Sequence, residues 1–261
     1  MQDFLATLSG SLVGFVLGLV GGGGSIIAVP LLLYVVGIGS PHLAIGTSAI
    51  AVSLSALSNL ASHARKGMVK WPCALTFSAA GVAGAWGGSS LAMRVPGDQL
   101  LAFFGVVMVI VGIVMALRKD AEGNPDIRLN FSTAQQLLPL LLLVGLSVGA
   151  LSGFFGIGGG FLIVPGLMLA TGMPIAYAIG TSLVAVTIFG ATTAANYALA
   201  GLVDWRIAIY FIGGGIFGGL IGSLAGQRLG QNKNMLTIVF ASFVILIGIY
   251  IAGKGIFDLV A

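Results

Sequence analysis

The sequence predicts an all-α integral membrane protein of two inverted repeats, each of about five helical segments with a glycine-hinged short or re-entrant second segment. Three observations lead there. Only 7% of the 261 residues are charged while 58% are hydrophobic, against roughly 25% charged in soluble domains. Charge-free runs cover residues 4–64, 71–93, 99–117, 129–203, 207–227 and 234–253. Each is long enough to cross a bilayer, because about 20 helical residues span the hydrocarbon core. The second half of the chain also repeats the first. The runs are continuously apolar and do not alternate, so the backbone must satisfy itself as helices and not as a barrel.

The repeat sets the elements in order. Gly10, Gly14, Gly18 and Gly21 match Gly145, Gly149, Gly153 and Gly156 at a spacing of 135, as Pro30 matches Pro165. After one residue is lost in a loop, Ala44-Ile45-Gly46-Thr47-Ser48 matches Ala178-Ile179-Gly180-Thr181-Ser182 identically. Gly67, Val69 and Trp71 then match Gly201, Val203 and Trp205, and Arg94 matches Arg228. The segments expected are 5–20, 25–36, 42–62, 72–93 and 98–117, then 137–155, 161–171, 174–199, 205–227 and 234–252. The domains are therefore a first membrane repeat over 1–117, a linker over 118–136 and a second repeat over 137–261.

The second segment is short in both halves. Twelve residues reach only about 18 Å, so it cannot span untilted. Segments one and two cannot share one span, since together they exceed its length. A hairpin hinged at Gly21 to Gly24 fits, which makes the number of crossings per half odd and inverts the second half. Basic residues alone do not decide this, because either orientation leaves eight Lys/Arg on one side and three on the other. Arg65, Lys66, Lys70, Arg118, Lys119 and Arg128 lie between apolar runs as topology signals, so the net charge of +4 does not point to nucleic acid. The single Cys73 allows no internal disulfide. Asp3 and the lack of a basic leader predict an uncleaved first segment.

Inverted repeats with interrupted helices place a substrate site at their interface. The candidate substrate-binding residues are Gly22, Gly23, Gly24 and Ser25 in the first hinge and Gly158, Gly159 and Gly160 in the second. Short helices beginning at Ser25 and Phe161 would aim free N–H groups at an anion. The alternative is that these glycines serve only a turn or a tight helix crossing. Thr47, Ser48, Thr181 and Ser182 can donate to a substrate oxygen or bond back to their own helices. Asn59 and Asn196 join them as candidates, with interhelical bonding as the plainer role. Arg94 and Arg228 end equivalent helices, suiting gating or anion attraction as well as snorkelling. His42 and His63 lie near segment ends, and proton coupling is weighed against plain surface placement. The remaining glycine stripes read as packing faces. Apart from Asp98 at the very start of one, no acidic residue lies inside a segment, no metal-ligand cluster appears, and the G-x-x-x-x-G-K match at Gly248 to Lys254 lacks its Ser/Thr, so neither enzyme nor cofactor is expected.

At the glycine hinge, the following proline, the repeated Gly-Thr-Ser and the Gly-x-Val-x-Trp sequence, the chain resembles the TauE/SafE family of sulfite exporters, also known as toluene sulfonate uptake permeases. The resemblance covers both halves, from about Gly10 to about Ile251. It implies a secondary transporter, exporting a small sulfur-containing anion such as sulfite, sulfoacetate or another organosulfonate. An anion channel, or an uptake permease for a related oxyanion or carboxylate, is the alternative. The expected partners are that anion and the lipid bilayer, with a homo-oligomer left open. The expected location is the plasma membrane, multi-pass, the inner membrane in a bacterium. Asp204 stands where the first half has Lys70, so the equivalent loops differ in charge.

Overall fold

A computed structural model gives the fold and describes residues 1–117, 131–156, 160–228, 242 and 244–254. The helices are α1 (Gln2–Val20), α2 (Ala28–Pro30), α3 (Pro41–Arg65), α4 (Trp71–Ala92), α5 (Gly97–Leu117), α6 (Phe131–Phe155), α7 (Gly160–Thr171), α8 (Ile175–Leu199) and α9 (Trp205–Arg228). A further apolar helix, α10, covers Val244–Lys254. No strand occurs among the described residues. Among the described residues, six helices are long and apolar enough to cross a membrane: α1, α3, α5, α6, α8 and α9.

Two boundaries differ from those expected. The first hinge is not a break before a helix beginning at Ser25. A 3₁₀ helix already runs through Gly21–Ile27, followed by α2 and a π turn over Leu31–Val35. Glycine permits the tighter coil, so Gly22, Gly23, Gly24 and Ser25 lie inside a helical piece. Gly24 rests on α1, where a Cβ would come within 2.5 Å of the Leu17 nitrogen. The second difference is that α6 starts at Phe131, within the expected linker, because the polar residues before the apolar run continue the helix.

Glycine stripes build the two tightest helix contacts, and both join the halves. In the first, Gly10, Gly14 and Gly18 of α1 lie against the backbones of Phe211, Gly215 and Gly219 in α9. The second sets Gly145, Gly149 and Gly153 of α6 against Phe77, Gly81 and Ala85 of α4. Residue numbers rise together in both seams, so each pair runs parallel. No side chain intervenes, which lets the backbones touch.

Between the seams lie α3 and α8, the most deeply buried of the spans. They run antiparallel: Gly46 faces Tyr197, Ser53 donates to the Thr187 carbonyl at 2.7 Å, and Gly180 meets the Met68 carbonyl. The equivalent helices α5 and α10 are antiparallel too, with Gly105 beside Ala252 and Val109 beside Gly248. Gly97 at the start of α5 meets Pro41 at the start of α3, so one end of the bundle collects Asp3, Arg94, Asp98, Asp204 and Arg206. Arg65, Lys66 and Lys70 lie at the other. Tyr34 ends the second segment edge-on to Tyr250 at 5.7 Å and beneath Lys254 Nζ at 5.0 Å, which returns that segment to the Asp204 end.

Candidate substrate site between the hinges

The two short segments meet. The Gly21–Ile27 coil packs on α7 and on α8, while α7 also packs on α6 and α8. Ser25 is fully buried, and Gly160 opens α7 in the interior. The first N–H groups of this 12-residue helix have no carbonyl partner within it. Gly158 and Gly159 lie outside the described residues.

Ser48 links one half to the hinge of the other. Its hydroxyl donates to the Ile45 carbonyl at 2.8 Å and is shared with the Gly156 carbonyl at 3.1 Å. Gly156 ends α6 with φ +65, a left-handed conformation that suits glycine, and a Cβ there would overlap Ile45. Ser182, the equivalent residue, is buried and donates to Ile179 of its own helix at 2.8 Å. The two hydroxyls are therefore used differently.

The neighbouring threonines face away from the hinges. Thr47 Oγ1 accepts the Asp204 N–H at 3.0 Å, and Thr181 Oγ1 accepts the Lys70 N–H at 3.0 Å. Local geometry explains the match. Both α3 and α8 end on a glycine, Gly67 at φ +68 and Gly201 at φ +73. The following Met68 and Leu202 N–H groups bond back to the His63 and Tyr197 carbonyls at 3.1 and 2.9 Å. Val69 and Val203 then turn inward, which presents the next N–H to the other half's threonine.

The asparagines serve the bundle. Asn196 of α8 donates to Ser89 Oγ at 2.7 Å and Ser90 Oγ at 2.8 Å on α4. Asn59 donates to Ser55 of its own helix at 3.1 Å and lies over Gly219 of α9. Arg94 is exposed at the Asp204 end, whereas Arg228 closes α9 at the other. His42 lies in the first turn of α3 and His63 in its last, where His63 Nδ1 lies 3.1 Å from the Asn59 carbonyl. A separate groove of about 510 Å³, lined by Leu8, Leu12, Phe15, Leu31, Val35 and Phe217, opens on the outer side of α1 and α9 and is apolar.

The sequence did not reveal the two threonine-to-loop bonds, the Ser48 bond to Gly156, the Ser53 bond between α3 and α8, the Ser89–Ser90 pair under Asn196, or Lys70 Nζ at 4.4 Å from the Tyr177 ring centre. Gly-x-Val-x-Trp, recurring in both halves, was the available signal for the loops.

The sequence profile of the family described as "Sulfite exporter TauE/SafE" matches residues 6–251. The chain belongs to this family. Among curated relatives, a "Probable membrane transporter protein" of Xylella fastidiosa (strain 9a5c) is 48% identical, covering 100% of this chain and 99% of that protein. "Probable membrane transporter protein YunE" of Bacillus subtilis (strain 168) is 26% identical over 99% of this chain and 100% of its own. No solved structure matches. This TauE/SafE chain is thus a multi-pass membrane protein of a transporter family.

Proposed function

We propose that the protein is a secondary carrier that exports a small sulfur-containing anion, such as sulfite, sulfoacetate or another organosulfonate, across the bacterial inner membrane. The anion binds between Gly21–Ser25 and Gly156–Gly160, beside the two Gly-Thr-Ser helices. One observation carries the reading: the short helices of the two halves meet in the interior, where Ser48 of one half reaches the hinge carbonyl of the other. At that place the N–H groups opening α7 favour negative charge. Backbone donors and serine hydroxyls suffice for a compact sulfonate without a buried arginine. Thr47 and Thr181 fasten the loops at the two ends of the site, Asn59 and Asn196 hold the helices around it, and exposed Arg94 attracts the anion at the Asp204 face.

The repeats are inverted in the membrane. Support comes from the antiparallel α3/α8 and α5/α10 pairs, since each couples equivalent helices. Arg65, Lys66 and Lys70 gather at one end while Arg94, Arg206 and Lys254 belong to the other, and with Arg118, Lys119 and Arg128 following α5 in sequence this bias supports a cytoplasmic Lys70 end.

A melting screen of purified protein against sulfite, thiosulfate, sulfoacetate, taurine and simple carboxylates tests the substrate class. A ligand that binds only the folded state raises the midpoint by mass action. Shifts from carboxylates with none from sulfur anions would overturn it. Saturable counterflow in proteoliposomes supports the carrier, and ohmic anion current would sink it.

A further inference from the structure

We propose that the two threonine-to-loop bonds are the paired gates of the transport cycle, one at each membrane face, and that the Lys70 gate is held more tightly than the Asp204 gate. This rests on the carrier reading. The bonds lie at opposite ends of the central α3/α8 pair. Each fastens that pair to one glycine seam: Thr47 holds the start of α9, which carries α1, and Thr181 holds the start of α4, which carries α6. The seams are backbone against backbone and move as units. The threonine contacts are different in kind. Each consists of one neutral hydrogen bond and a glycine under a loop carbonyl, Gly46 under Leu202 and Gly180 under Met68. A released loop N–H regains water, so each contact can open at modest cost.

Alternating access needs two such contacts, never open together. Both are formed here, as an occluded protein requires. Their side chains make them unequal. At one end, the Lys70 ammonium lies over Tyr177 of the opposite half. At the other, Asp204 Oδ1 accepts the Ile207 N–H at 3.0 Å and caps its own helix, adding nothing across the gate. Leu43 occupies the place equivalent to Tyr177. The Asp3–Arg206 ion pair at that end joins α1 to α9, which travel together, and so does not bridge the gate. The cation–π contact therefore biases the protein toward opening at the Asp204 face.

The test uses Cys73→Ser protein carrying one reporter, Ala44→Cys or Ala178→Cys, each at a fully buried position one turn before its threonine. A membrane-impermeant maleimide is applied to sealed vesicles of either orientation. Thr47→Ala is expected to raise labelling of the position-44 reporter about threefold to tenfold, from the Asp204 side alone, as loss of one hydrogen bond implies. Thr181→Ala does the same for the position-178 reporter from the Lys70 side, and the Thr→Ser variants keep the parent rates. Tyr177→Leu, at a half-buried site, raises only the position-178 reporter and carries the test if a threonine variant fails to fold. Equal increases at both reporters, or none at either, would overturn the gates. Counterflow separates the two readings: flux with unsided labelling removes the gates alone, and sided labelling without flux removes the carrier.

Discussion

Replacing Ser48 by alanine is the sharpest probe of the site, because its counterpart Ser182 supplies an internal control. Ser48 is fully buried and its hydroxyl is shared between its own helix and the Gly156 carbonyl. Ser182 is equally buried and bonds only Ile179 among its described contacts. A neutral hydrogen bond contributes about 1 kcal/mol net, and interhelical bonds in membranes average about 0.6. Losing the cross-half bond thus shifts the closed hinge by about threefold to fivefold, since 1.4 kcal/mol is tenfold. Ser48→Ala should raise the apparent KM of counterflow by that factor, with Ser182→Ala closer to the parent. Folding of both variants is checked by melting midpoint. Equal KM effects from both, or no effect from Ser48→Ala, would refute the assignment of Ser48 to the hinge.

Gly14→Val should lower the melting midpoint sharply, because its Cβ falls on the Gly215 carbonyl and overpacking costs about 1–3 kcal/mol. Gly213→Ala, on the same seam helix but with open space at its Cβ, should be neutral or stabilising by up to about 1 kcal/mol. Asn196→Ala removes two bonds to α4 and should cost about 1–2 kcal/mol by reversible unfolding in detergent. Cys73 is completely buried in α4, so maleimide should label it only as the protein unfolds, and labelling that proceeds at the native-state temperature would contradict the packing there.

Much of the architecture was legible in the sequence because membrane constraints are severe. Apolar length gave the spans, and the stripe of Gly10, Gly14 and Gly18 read as a packing face because small residues let helix backbones approach. What the stripes pack against was not legible. Their partners lie about 200 residues away in α9, and nothing local selects α9 over another apolar helix. The hydroxyls were ambiguous for the same reason. Thr47 can bond its own helix, a substrate or a distant loop, and only the antiparallel crossing of α3 and α8 brings Asp204 beside it. The first hinge misled because four glycines permit a break without requiring one, and here they take the 3₁₀ coil.

The crossed seams bear on how the protein is made. About 185 residues of chain separate α1 from α9, so α1 enters the bilayer long before the surface that fits its bare stripe has been synthesised. Until then its carbonyls face lipid or an insertion factor. The first half cannot mature alone, because its own fourth helix is reserved for α6. The two halves resemble a domain-swapped dimer joined into one chain, and maturation waits for the last pairs of helices to emerge.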